Sequence, residues 1–188
     1  MHVTDFANWR WDWRCEKWSE EAVRYVRRKC EDPFMDVSSD MLKSARISPE
    51  EVVEVHGNLL LNAGIQRLED LLIGAGGQAF NNLNTRLGVG NSATAEVATQ
   101  TDLQAVAGAA NRQFKLMNAT FPSRATQVLS FASDFTSGEA NFVWNEWGLD
   151  NGNANGTTVT APMLNRKVAS LGTKATGTWT LTGTVTIS

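Results

Sequence analysis

The sequence predicts an α+β chain dominated by an antiparallel β-sandwich, jelly-roll- or Ig-like, with a few helices and an N-terminal arm. Three observations carry that expectation. Residues 178–187 alternate cleanly, with Trp179, Leu181, Val185 and Ile187 on one side and Thr178, Thr180, Thr182, Thr184 and Thr186 on the other, which is the period of a strand. Helical periodicity is confined to short stretches. Composition also breaks near Gly57: residues 1–57 hold nine Lys/Arg and twelve Asp/Glu, against eight and eight in the remaining 131. We therefore divide the chain into a charged, Trp-rich N-terminal arm or subdomain (1–57) and a β-rich body (58–188). At 188 residues, 42% of them hydrophobic, it is long enough to bury a core of its own.

Four of the seven tryptophans, Trp9, Trp11, Trp13 and Trp18, lie in the first 18 residues. The period-two run Trp9-Arg10-Trp11-Asp12-Trp13-Arg14 suits an extended strand with an aromatic face. That face either folds back onto the body or docks on another subunit. Trp and Arg are the residues most enriched at interface hot spots, so Trp9, Arg10, Trp11, Trp13, Arg14 and Trp18 are the candidate partner-binding residues. Stacking on nucleic acid is disfavoured by Asp5, Asp12 and Glu16, and membrane insertion by the same charges.

Ser19-Glu20-Glu21-Ala22 predicts a helix to about Cys30, capped by Ser19, acidic at its start and basic at its end through Arg27, Arg28 and Lys29. Asp32-Pro33 stops it. Ser48-Pro49-Glu50-Glu51 has the marks of a helix start, yet the β-branched run Val52-Val53-Glu54-Val55 fits a strand equally well. In the body, Ile65, Leu68, Leu71 and Leu72 share one helical face, and Gly74 and Gly76-Gly77 end that helix. Residues 101–110 read as a third helix. Leu129, Phe131 and Phe135, and the aromatic run 141–147, read as strands. Residues 150–160 read as a surface loop.

A net charge of -3 argues against a chain that coats nucleic acid. No stretch approaches the ~20 apolar residues of a membrane span, and the start lacks a basic-then-apolar signal layout, so neither membrane insertion nor secretion is expected. Cys15, Cys30, His2 and His56 are the whole soft-ligand inventory, with no CxxC or HxxxH spacing for zinc. The cysteines are expected as reduced thiols packed like small hydrophobes, a bridge between them remaining open. Gly74-Ala75-Gly76-Gly77 follows a helix instead of opening one, and Gly88-Val89-Gly90 has neither a third glycine nor a following Lys-Ser/Thr, so both read as tight turns and no nucleotide cofactor is expected. Among carboxylates only Glu146, between two tryptophans, invites attention as an acid, although hydrogen bonds to backbone amides are its simpler use. No GxSxG elbow exists and His56 has no partner near in sequence. Neither catalysis nor a metal is expected.

The order Asn58-Leu59-Leu60-Leu61-Asn62-Ala63-Gly64, a Leu-rich helix, Gly88-Val89-Gly90, then Thr101-Asp102-Leu103 resembles a widespread group of small tailed-bacteriophage virion proteins. The similarity continues through Asn141, Asn145-Glu146-Trp147-Gly148-Leu149, Leu164-Asn165-Arg166, Lys174 and the closing Thr/aliphatic strand, and covers residues 55–188. It implies a β-rich module built into the phage particle, as a decoration, fibre-base or tail-associated protein. The Trp-rich arm lies outside the shared pattern.

The leading expectation is therefore a capsid decoration (cement) protein on the outer surface of the head. Its partners would be the major capsid protein and itself, as a homotrimer, and it would assemble in the host cytoplasm. A tail or fibre-attachment component is the alternative within the same group. A carbohydrate-binding module, stacking sugars on Trp144, Trp147 or Trp179, is the alternative from another class.

Overall fold

The computed structural model describes residues 8–152, 154, 156–159 and 161–188; His2 and Asp5 lie outside the described residues. The elements run β1 (Trp9–Trp18), α1 (Glu20–Lys29), α2 (Ser39–Ser44), β2 (Glu51–His56), β3 (Leu59–Leu60), α3 (Asn62–Ile73), β4 (Arg86–Gly90), β5 (Arg112–Leu116), β6 (Ser123–Ala125), β7 (Val128–Phe135), β8 (Val143–Asp150), β9 (Asn165–Thr173) and β10 (Thr178–Ile187). They form two antiparallel five-stranded sheets, ordered β2-β1-β10-β7-β6 and β3-β9-β8-β4-β5. The β-dominated sandwich expected from the alternating segments is the architecture that forms.

Its centre is aromatic. The odd residues of β1 and β10 face inward, so Trp11, Trp13, Cys15, Trp179, Leu181 and Val185 meet Leu87, Val89, Trp144, Trp147 and Leu149 of the opposite sheet. Trp13 stands edge-on to Trp147 with ring centroids 6.1 Å apart, Phe135 to Trp144 at 4.8 Å, and Trp144 to Trp179 at 5.0 Å, the arrangement favoured by the ring quadrupole. Gly183 interrupts the apolar row of β10 because it pairs with Trp13, whose ring occupies the space above it: a Cβ there would come 2.6 Å from Trp13 Cζ3.

From Trp9 onward the charged segment is integrated into the sandwich and its flanking helices. β1 lies between β2 and β10 and pairs with β10 along its whole length, from Trp9↔Ile187 to Trp18↔Thr178. The composition break marks instead a second, smaller core beside the sandwich, where Trp18, Val23, Val26, Val37 and Leu42 gather under α1 and α2. Both helices are capped by serine: Ser19 Oγ accepts from the Ala22 N–H and Ser38 Oγ from the Met41 N–H. α1 matches its sequence expectation, while α2 is too short to leave a periodic signature. The ambiguous run after Glu50 resolves as the strand β2.

Three further expectations are corrected. Residues 101–110 form no helix, because their backbone serves other partners. The Gln104 and Ala105 N–H groups donate to Glu146, and the Arg112 side chain ties Asp102 and the Leu103 carbonyl. Gly88-Val89-Gly90 is no turn but part of β4, an inner strand between β5 and β8, where the missing side chain of Gly88 makes room for the Phe114 ring. Finally, the 150–160 loop is not wholly superficial: Asp150, Asn151 and Ala154 are buried, with Asp150 Oδ2 accepting from the Gly152 and Ala154 N–H groups.

Candidate functional site

The six residues proposed from sequence to contact a partner separate by strand face. Trp11, Trp13 and Trp18 are only 3%, 2% and 1% exposed, so their docking role is corrected: these rings are core of this same chain. The physical reason is the alternation itself, which turns the aromatic side of β1 toward the opposite sheet once β1 is flanked on both sides. Arg10 and Arg14 point outward but are paired, Arg10 with Asp12 at 2.9 Å and Arg14 with Glu16 at 3.2 Å and Glu54 at 2.7 Å. Trp9, at the entrance to β1, remains 41% exposed.

Trp9 forms one wall of an apolar groove of about 330 Å³, completed by Leu60, Ile65, Leu68 and Leu72, with Glu69 its one charged lining residue. The way α3 is anchored explains why the groove stays open. Gly64 lies against the Leu164 backbone so closely that any Cβ would collide with its carbonyl oxygen, and the Arg67 guanidinium donates to the Pro162 carbonyl. These contacts hold one side of the helix to the sandwich. Ile65, Leu68 and Leu72 fall on another side, toward Trp9 and solvent. Gly74 ends the helix in the left-handed conformation at φ 71°, and just before it Leu72 and Ile73 are 87% and 75% exposed. The sequence shows the apolar stripe of α3 plainly; in the structure Leu68 and Leu71 of that stripe are half-buried while Ile65 and Leu72 are exposed.

A second concavity, about 780 Å³ and polar, shares Trp9 and is lined by Arg10, Asp12, His56 and Asn58 among others. His56 Nδ1 lies 2.6 Å from Asp12 Oδ1. Burial works to raise the Asp12 carboxyl, but its bonds to His56 and Arg10 prevail and hold it below the usual carboxylate range. Compared with models of protein families, with curated proteins and with solved structures, the chain matches none.

The remaining sequence candidates are structural in their contacts. Glu146 is fully buried on β8, accepts two backbone N–H groups and pairs with Arg166 at 2.6 Å. His56 sits at the edge of the other sheet and is engaged with Asp12, so the two are not brought together around a cleft. Trp144 and Trp147 are 0% exposed and Trp179 7%, which leaves none of the three rings open to stack on a sugar. Cys15 is buried, Cys30 is exposed and both are free thiols. Among the described residues no group of three or more His, Cys, Asp and Glu is placed to hold a metal, and no helix is long and apolar enough to cross a membrane.

One buried cation escapes sequence reasoning. Lys174, 1% exposed, donates to the Thr136 and Glu139 carbonyls and to Asn141 Oδ1 at 2.8–2.9 Å. Its three N–H bonds stitch the turn between β7 and β8 to the end of β9. Burial pushes its ammonium down to about 8 against the opposing pull of Glu139 and Glu20.

Proposed function

We propose that the protein is a structural component of a tailed-bacteriophage virion: a capsid decoration protein that binds assembled major capsid protein on the outside of the head, as a homotrimer. The observation that supports this reading best is the open groove between Trp9 and α3. The sandwich satisfies its own core, yet Trp9, Ile65 and Leu72 stay exposed along one groove. An exposed apolar groove of this kind is the sort of surface through which a domain meets a partner. The ordered resemblance across residues 55–188 supplies the kind of particle. A protein with this role acts by mass action, since a ligand that binds only the assembled shell raises the free energy needed to disrupt it.

The test adds purified protein to undecorated heads and follows their thermal disruption. Binding with a raised disruption temperature, lost in Trp9→Ala and Leu72→Asp, supports the reading. Heads that neither bind nor shift refute it. Copy number in purified particles then separates head from tail: hundreds per virion for decoration, a few to dozens for a tail or fibre-attachment part.

A further inference from the structure

We infer that the outer edge of β2 is a strand-acceptor site for an extended partner segment carrying Lys or Arg at alternate positions with apolar residues between them. The inference is independent of the virion reading and uses a different surface from the α3 groove.

The hydrogen-bond phase of the first sheet defines the site. Asn8 and Ser188 exchange both backbone bonds, so the even residues of β1 bond to β10. Its odd residues therefore bond to β2, as the Gly57 N–H to the Trp11 carbonyl shows. In an antiparallel ladder this directs the backbone groups of Glu51, Val53 and Val55 to β1 and those of Val52, Glu54 and His56 to the far side. Among the described residues β2 ends its sheet, so that far side presents three N–H and three C=O groups with no further strand of the sheet beside them.

The other three edges differ. β3 is two residues long and β6 three. β5 has its Phe114 N–H occupied by the Gly156 carbonyl of the chain's own loop. β2 is six residues long, with Val52, Glu54 and His56 exposed and Val53 and Val55 only half-buried. A six-residue edge of this kind is a template for strand addition, and its glutamates restrict that addition to a partner of opposite charge.

Charge selects the occupant. Glu50, Glu51 and Glu54 crowd the edge; among the described residues Arg14 pairs with Glu54 on the outer face and Lys17 with Glu51 on the inner one, which leaves the edge acidic by one charge. A cation on an added strand would lie beside Glu54 on the outer face, and its alternate side chains would extend the half-covered Val53 and Val55 inward. A second copy brings its own glutamates instead, and pairing centred on Glu54 would set two carboxylates directly opposite.

The probe is a capped peptide of alternating lysine and valine, with an alternating glutamate–valine peptide as control. Binding is followed by backbone NMR and amide hydrogen exchange. The lysine peptide is expected to protect the Val52, Glu54 and His56 amides and to bind at least tenfold more tightly than the control. Val52→Pro removes one outward N–H and leaves every bond to β1 intact, because proline is tolerated on the solvent side of an edge strand. It should weaken the peptide roughly tenfold, about the worth of one hydrogen bond. Glu54→Lys, which alters no backbone group, should weaken it by a similar factor. No protection at those three amides, protection at another edge, equal binding of both peptides, or wild-type affinity in both variants overturns the proposal. So does a dimer that Val52→Pro abolishes, since the occupant would then be a second copy.

Discussion

Arg166 and Glu146 form an ion pair with both side chains fully buried, Nη2 standing 2.6 Å from Oε2. The pair links a loop to the sandwich. Arg166 also donates to the Thr94 and Ala95 carbonyls and to Gln100 Oε1, while Glu146 accepts from the Gln104 and Ala105 N–H groups. Two charged side chains on neighbouring strands thus satisfy backbone groups of the 94–105 segment that no helix pairs. Removing one member leaves the other charged and desolvated. Glu146→Ala or Arg166→Ala is expected to cost about 3–5 kcal/mol, read by urea denaturation. The 94–105 amides should lose exchange protection first. A cost under about 1 kcal/mol would show that water already reaches the pair.

Gly183 opposite Trp13 provides a second test, of the aromatic core. Gly183→Ala adds one methyl 2.6 Å from the indole, and Trp13 is enclosed on all sides, so the ring cannot simply swing away. Overpacking of this kind costs about 1–3 kcal/mol. Trp13→Ala should cost about 3–5 kcal/mol, whereas Trp9→Ala, at an exposed ring, should leave the midpoint of unfolding nearly unchanged. Equal losses at Trp9 and Trp13 would contradict the separation of the two faces of β1.

Gly183 also illustrates what a sequence can and cannot reveal here. The alternation of β10 is legible because it is local: threonine and apolar residues take opposite faces residue by residue. The gap at Gly183 is not, since its cause is a tryptophan at the other end of the chain. β1 reads as a strand for the same local reason, but whether its aromatic face meets the same chain or another depends on which strand flanks it. β4 reads as a turn because Gly88 and Gly90 suggest one; their real cause is close approach by Phe114 and Glu146 from neighbouring strands. The stripe on α3 is visible and the exposure of Ile65 and Leu72 within it is not, because burial is decided by non-local neighbours. Glu146 is the exception among the candidates: two flanking tryptophans correctly announce a buried carboxylate bound to backbone amides.

Glu139 makes a prediction about acid. Burial works to raise its carboxyl, but the Lys115 ammonium and the Thr136 N–H and hydroxyl prevail and hold it below the ordinary carboxylate value. A carboxyl depressed in the folded state contributes stability that is fully present above its unfolded pKa of about 4.5 and is lost as pH falls through the folded value. Denaturation midpoints between pH 3 and 6 should therefore decline less steeply in Glu139→Gln than in the wild type, and coincide in slope above pH 6. Identical slopes throughout would mean that Glu139 titrates alike in both states.

The two thiols test whether β1 is an integral strand or a detachable arm. Cys15 faces the core from the middle of β1, and burial is the main cause that pushes its thiol up to about 12; Cys30 is exposed at the end of α1. The thiolate is the reactive species, so at pH 8 a thiol reagent should titrate one cysteine in the folded protein and two in denaturant. The Cys30→Ser variant should show none until unfolded. Because β1 is paired on both sides, exposing Cys15 requires breaking the first sheet, and its slow labelling rate should fall in step with global stability as the protein is stabilised or destabilised. Rapid labelling of Cys15 under conditions where the sandwich stays folded would mean that β1 leaves without the rest. In that case its tryptophans are available to another subunit after all.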